Sequence, residues 1–354
     1  MATPIVSFVV INYNYEDYLA EAIDSVLAQD YPNIECVVID NASTDGSREV
    51  LARYEGVDAR LSIRRFDRNL NQMGALLRIL DDLRGRYLTI VDADDFIFPN
   101  YASQHVLAHE MAPRGLAFTS SCVVEVDGAG CVLTAGYDPF LSNVVQARLA
   151  DGEANAVEGV GATDRALLLE AIRLVDRDDP KWRWSPGTAN MHDLALVRAT
   201  RPIGHAEAYV GATDNYFMWL NHAIAGSAQI LTPLSAYRHH GRNRYGAMPS
   251  VAGLTVGTRS GVNRSAVRRR DITLALTSRA RAFQQLAPGR FWKLMDAPAA
   301  ADGQPVGLYF ANPLVQKILF EHRAELLLAL GAAEVERELA ARMGRRAARR
   351  IARA

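Results

Sequence analysis

An α/β fold with a Rossmann-like, mostly parallel sheet and helices on both faces is predicted by three observations. Short apolar runs rich in β-formers alternate with stretches of helical periodicity between residues 5 and 91. Polar residues follow several of these runs directly, as they do where a parallel sheet opens onto a ligand crevice. The chain closes on a helical, arginine-rich extension. Taken in order, 5–11 reads as a buried strand, and 18–29 places Leu19, Ala22, Ile23, Val26 and Leu27 on one helical face. Strands at 34–39, 61–66 and 87–91 alternate with helices at 47–54 and 73–83, giving β-α-β-α-β-α-β. Two further strands are expected within 116–133, turning at Asp127-Gly128, then short helices and loops over 140–182 and a partly helical apolar stretch over 194–234.

Composition narrows the class. The 354 residues are 49% apolar and 22% charged, as in a soluble globular enzyme, and a net charge of -1 gives no reason to expect nucleic acid as the main partner. Cys36, Cys122 and Cys131 lack disulfide or zinc spacing and are expected to be reduced, buried thiols. No basic leader precedes the first strand and no run reaches the ~18 apolar residues of a membrane span, so a cytoplasmic protein is expected, peripheral on the inner face of the plasma membrane at most.

The strongest chemical signal is Val91-Asp92-Ala93-Asp94-Asp95 at the end of a strand. Clustered carboxylates repel, and a hard divalent cation such as Mg²⁺ or Mn²⁺ relieves the repulsion while accepting phosphate oxygens in its remaining positions. The alternative is an acidic turn leading into Pro99. Two more polar segments follow strands: Asn12-Tyr13-Asn14, and Asp40-Asn41-Ala42-Ser43-Thr44-Asp45-Gly46. Asp40 has the chemistry to accept hydrogen bonds from a nucleotide's imide edge or ribose, whereas Ser43, Thr44 and Gly46 read as a turn and helix start.

These segments, at 8–14, 20–32, 39–47 and 88–99, resemble the inverting family 2 glycosyltransferases of the GT-A fold. The resemblance covers roughly residues 4–110. It implies nucleotide contacts at Asn12, Asn14, Asp40 and Ala93, and a DXD metal motif at Asp92 and Asp94 with Asp95 as adjacent support. Farther on, 186–191 followed by Arg198 resembles the acceptor-side segment of the family. Gly211-Ala212-Thr213-Asp214-Asn215 is similar to its general-base motif, with Thr213 where a first carboxylate often stands. Tyr237-Arg238-His239-His240-Gly241-Arg242 is similar to the segment that closes over the diphosphate, which implies His240 near the metal and Arg238 or Arg242 facing phosphate. Each has a plainer reading: Asp214 as a helix cap, His239-His240 as a polar pair, and Trp182 and Trp184 as core rather than sugar platform.

The implied reaction is metal-dependent transfer of a sugar, with inversion, from a nucleotide-sugar (a UDP-sugar first) to a glycan or lipid-linked acceptor hydroxyl, with Asp214 as base. Bacterial polysaccharide or glycoconjugate synthesis is the expected setting. A nucleotidyltransferase is the enzymatic rival, but 12–17 lacks the basic residue a triphosphate loop would need. A silent nucleotide- or glycan-binding protein of the same fold is the other. The expected domains are a GT-A domain over 1–245, divided near 115 into donor and acceptor halves, a flexible linker at 246–262, and a helical region over 263–354. Its tail carries Arg342, Arg345, Arg346, Arg349, Arg350 and Arg353 without an acidic neighbour, which suits anionic lipid, an oligomer contact or simple solvation.

Overall fold

A computed structural model of the chain describes residues 3–134, 171–181, 183–185, 187–204, 213–241 and 264–352. The chain divides into two compact units that are not contiguous in sequence: 1–175, 183–198 and 227–260 form the first, and 176–182, 199–226 and 261–354 the second. The described residues 199–204 and 213–226 therefore belong to the second unit. The expected linker at 246–262 lies outside the described residues.

The first unit is built on a 10-stranded sheet, and its opening half follows the sequence pattern closely. Strands β1 (Val6–Asn12), β2 (Ile34–Asp40), β3 (Leu61–Arg65) and β4 (Tyr87–Asp92) alternate with helices α1 (Leu19–Leu27), α2 (Ser47–Ala52) and α3 (Asn71–Ile79). β1 lies parallel between β2 and β4, and β3 lies parallel outside β2. Continuous burial of β1 and β2 matches the unbroken apolar runs expected of parallel strands covered on both faces. Leu19, Ala22, Ile23 and Val26 of α1 close over one face, packing with Val6, Phe8, Val10, Cys36 and Val38 in a single core.

Beyond β4 the sheet becomes mixed. After β5 (Phe96–Ile97) and α4 (Tyr101–Met111) come β6 (Phe118–Asp127), β7 (Val132–Thr134), β8 (Ile172–Val175), β9 (Asn190–Asp193), helix α5 (Leu194–Thr200) and β10 (Ser227–His239). β9 runs antiparallel to both β4 and β6, while β10 is parallel to β6 and so points its C-terminal end the same way as β1, β2 and β4. The expected turn at Asp127 is present, its carboxylate accepting from the backbone N–H groups of Ala129 and Cys131 at 2.9 Å each. Cys36 and Cys122 are buried but Cys131, at this turn, is exposed, which corrects the expectation of three buried thiols.

Three histidines are buried where α4 meets the sheet. His109 stacks on Tyr87 with ring centroids 4.4 Å apart and donates from Nε2 to Met191 O at 3.0 Å. His105 lies against Tyr101 and shares a 2.7 Å hydrogen bond between Nδ1 and Thr119 Oγ1. His192 on β9 packs against Phe118. Burial drives all three below the ordinary imidazole value: His109 to about 4, His192 to about 3, and His105 well below.

The second unit is helical. It holds α6 (Thr213–Ala225), α7 (Arg264–Ser278), α8 (Ala280–Leu286), α9 (Phe291–Ala301), α10 (Val306–Ala311), α11 (Pro313–Glu321), α12 (Arg323–Leu330), α13 (Ala332–Met343) and α14 (Arg345–Ala352). Asn312 caps α11 by accepting from Leu314 N at 2.9 Å, with Pro313 at the first helical position. Among the described residues no helix is long and apolar enough to cross a membrane.

Candidate active site

Three strand ends meet at one level of the sheet. In the register Ile11 stands opposite Asp92 and Asn12 opposite Asp40, so β1, β2 and β4 deliver Asn12, Asp40 and Asp92 side by side. Parallel strands placed this way open the crevice in which ligands of such sheets bind.

The first two turns are locked to each other. Asn12 donates from Nδ2 to Ser43 Oγ at 3.0 Å, and the same hydroxyl accepts from Asn14 N at 3.1 Å. Asn14 Oδ1 accepts from Thr44 N at 2.7 Å, and Asp40 Oδ1 accepts from Ser43 N at 3.0 Å. Asn14 and Ala42 both take left-handed backbone conformations, φ 63° and 67°; the second is unfavourable for alanine and is held by these bonds. Asn12 is fully buried, and among the described residues its Oδ1 has no hydrogen-bond partner, leaving an acceptor at the strand end.

Asn41 explains why the chain has an amide beside Asp40. Its Oδ1 accepts from Leu70 N at 2.9 Å and its Nδ2 donates to Asn69 Oδ1 at 3.1 Å, tying the β2 turn to the start of α3. A second carboxylate there could accept but not donate. From that helix Gln72 donates to Asp92 Oδ1 at 2.6 Å. Nothing in the sequence pattern singles out Gln72.

The acidic loop is fixed from behind. Thr188, in a short 3₁₀ turn over Gly187–Ala189, accepts from Asp92 N at 3.1 Å and donates to Asp95 Oδ2 at 2.7 Å. Asp95 Oδ1 accepts from Arg238 N at 3.0 Å. Burial, and then the neighbouring carboxylates of Asp94 and Asp92, push Asp95 well above the usual carboxylate range. Asp95 thus faces the scaffold, and Asp92 is the partly exposed member of the cluster. Ala93 is buried between them at 1% exposure, so a contact to a nucleotide from this residue would fall to its backbone.

Arg238 and His240, on one face at the end of β10, reach the same loop. His240 Nε2 sits 2.9 Å from Asp94 Oδ2, with its ring stacked on Tyr18 at 4.9 Å and edge-on to Tyr15 at 5.6 Å. The guanidinium of Arg238 donates to Asp94 O at 3.0 Å, to Asp127 O and Gly128 O at 3.3 Å each, and to Glu21, and it lies over the Tyr18 ring. It is 2% exposed. These contacts make Arg238 a clamp beneath the acidic loop. Replacing it with methionine leaves those three carbonyls without their donor, while the half-exposed Glu21 turns to water, and we expect a loss of about 3 kcal/mol in chemical denaturation. Unchanged stability with a raised KM for donor would instead mark it as a phosphate ligand.

The expected three-ligand metal set is not assembled. Among the described residues no group of three His, Cys, Asp or Glu side chains is placed to hold a metal ion, and His240 is engaged with Asp94. Asp92 and Asp94 offer hard carboxylate oxygens two residues apart, which suits a partial seat: Mg²⁺ commonly uses one or two carboxylates and completes its shell with water and substrate phosphates. Arg242 lies outside the described residues, as does Trp182. Trp184 is core, donating from Nε1 to Ser227 Oγ at 2.9 Å with its ring edge-on to Phe118. Arg198 holds the end of α3, bonding Leu80 O and Leu83 O. Asp214 belongs to the second unit, in the first turn of α6, where its Oδ1 accepts from Asn215 N at 2.7 Å.

Residues 7–135 match the model of the family described as glycosyl transferase family 2. The chain is 36% identical over 92 residues to TuaG of Bacillus subtilis (strain 168), a glycosyltransferase named for teichuronic acid biosynthesis, covering 26% of this chain and 36% of that protein. It is 33% identical over 125 residues to the succinoglycan biosynthesis protein ExoO of Rhizobium meliloti (strain 1021), 35% of each chain. The matched stretch thus spans 36% and 35% of these relatives' own length. Among solved structures it is similar to S. aureus TarS 1–349 in complex with UDP, with a TM-score of 0.48 and 16% identity over 93% of this chain and 90% of that one. The match to the glycosyl transferase family 2 model thus covers residues 7–135, where the strand-end motifs just described all lie save the β10 clamp and Thr188.

Proposed function

We propose that the protein transfers a sugar from a nucleotide-sugar donor to an acceptor hydroxyl with inversion at the anomeric carbon, in the synthesis of a bacterial polysaccharide or glycoconjugate. The observation that carries this reading is the meeting of Asn12, Asp40 and the Asp92–Asp94 loop at the C-terminal ends of three neighbouring strands. Asp40 and the Asn12 amide supply acceptors for the nucleoside, and Asp92 and Asp94 stand where the diphosphate would lie. A UDP-sugar is the first donor to test. Mg²⁺ or Mn²⁺ held by Asp92 and Asp94 would supply Lewis-acid neutralisation of the charge that grows on the departing diphosphate. In this reading Arg242 faces that phosphate as well.

The acceptor oxygen bonds to C1 as the bond from C1 to the phosphate oxygen breaks, and the diphosphate leaves with the electron pair. Attack from the face opposite the nucleotide inverts the centre, and Asp214 takes the acceptor proton. Asp214→Asn keeps the shape of the side chain and removes the base. We expect a fall in kcat of roughly a hundredfold, with donor affinity retained, at the lower end of what a placed base contributes. A variant that turns over like the parent would remove Asp214 from the chemistry. The reading as a whole is tested by a hydrolysis screen of UDP-, GDP- and dTDP-sugars with added Mn²⁺ or Mg²⁺. Cation-dependent release of one nucleotide supports it, and no release or binding of any of them overturns it.

A further inference from the structure

We propose that the cationic face of α14 docks the protein on a bilayer surface rich in anionic phospholipid; the inference uses no feature of the donor site. Residues 339–354 contain six arginines and no acidic residue, in a chain whose net charge is only -1. The structure sorts those arginines. Arg342 is internal: it bonds Asp296 at 2.8 and 2.7 Å and Glu338 at 2.7 Å, with its guanidinium 5.1 Å from the centre of the Trp292 ring. In α14, Ala348, Ile351 and Ala352 are buried at 0%, 2% and 7% exposure, whereas Arg345, Arg346, Arg349 and Arg350 are exposed. The helix is therefore anchored to its own unit by its small apolar face and turns a row of cations outward.

Neighbouring carboxylates neutralise little of that row. On α13, Glu334 accepts from Trp292 Nε1 at 3.1 Å and Glu338 is held by Arg337 and Arg342. Among the described residues Glu336 pairs with Arg349 at 3.3 Å, an exposed pair of the kind that contributes little, and Arg350 lies over the Phe320 ring at 5.9 Å. Because the apolar face is already covered, attachment would be electrostatic and reversible, without insertion. An anionic bilayer suits this geometry because its headgroups diffuse to fixed charges. Single-stranded nucleic acid suits it less, since no aromatic side chain lies in 339–354 on which a base could stack.

The test is co-sedimentation of the full chain with phosphatidylcholine vesicles, with and without phosphatidylglycerol. We expect binding only to the anionic vesicles, falling steeply as salt rises. Each arginine near such a surface strengthens partitioning about fivefold, so the quadruple variant R345Q/R346Q/R349Q/R350Q should bind on the order of a hundredfold more weakly, allowing for the Glu336 pair. The matching quadruple lysine variant should bind like the parent. Equal binding to neutral vesicles, binding by the glutamine variant at parental strength, or capture by a short DNA duplex in place of the vesicles would each overturn the proposal. Should circular dichroism show the glutamine variant unfolded, the salt series and the lysine variant decide it: salt-independent binding, or loss of binding in the lysine variant, is fatal.

Discussion

Asp92→Asn will lower kcat/KM for sugar transfer about a thousandfold while leaving the fold intact. The substitution is nearly isosteric. An asparagine Oδ1 still accepts from Gln72 Nε2, and the backbone N–H still reaches Thr188, so the neighbours that shape the loop keep their partners. Only the negative charge is lost, and with it the more exposed half of the carboxylate pair offered to a cation. Stabilising the charge of a leaving diphosphate is worth several kcal/mol, and about 4 kcal/mol corresponds to three orders of magnitude in rate. The accompanying measurement is calorimetry of UDP binding with and without Mn²⁺. The parent should show tighter binding with the cation, and the variant should show little difference. Turnover within tenfold of the parent would mean that Asp92 carries none of this chemistry. Asp94 is the less informative target, because its carboxylate also holds His240 and its loss would disturb the end of β10.

The same loop shows which parts of the protein were legible in the sequence. Its strand announces itself as an apolar run ending in aspartates, and β1, β2 and α1 announce themselves by period and length. Those signals are local, as burial of a whole strand or of one helix face must be. The contacts that set the loop's geometry are not local. Thr188 lies 96 residues from Asp92, Arg238 lies 144 from Asp94, and Glu21 lies 217 from Arg238. A lone threonine or arginine carries no period that would betray such a partner. Arg238 is a case in point: an arginine near an expected diphosphate suggests a ligand, and nothing local announces that the fold also uses its planar set of donors on backbone carbonyls. Strand β10 is obscured in another way. Pro233 sits within it at a shift of register against β6, and a proline in an apolar run reads as an interruption. The short strands β8 and β9 carry too few residues to show alternation, and β8 falls in a stretch that reads as loops and short helices.

The histidines under the sheet make the stability of the first unit sensitive to acid. In the unfolded chain each titrates near 6.5, whereas burial holds His109 to about 4, His192 to about 3 and His105 well below its ordinary value. Above pH 7 neither state binds these protons and they contribute nothing to the pH dependence. Between about 6.5 and 4 the unfolded chain takes them up and the folded one does not, so stability falls as pH falls. At pH 5 each ring that stays neutral in the fold costs about 2 kcal/mol relative to pH 7.5, and three such rings about 6 kcal/mol. That is comparable with the whole stability of many domains, so urea midpoints should drop sharply between pH 7 and pH 5. His109→Gln supplies the control. Its amide can donate to Met191 O in place of Nε2 but has no proton to gain, so the slope of stability against pH should flatten by about a third. Midpoints that stay level from pH 7 to pH 5, or a His109→Gln slope equal to the parental one, would mean that these rings are reached by protons without unfolding.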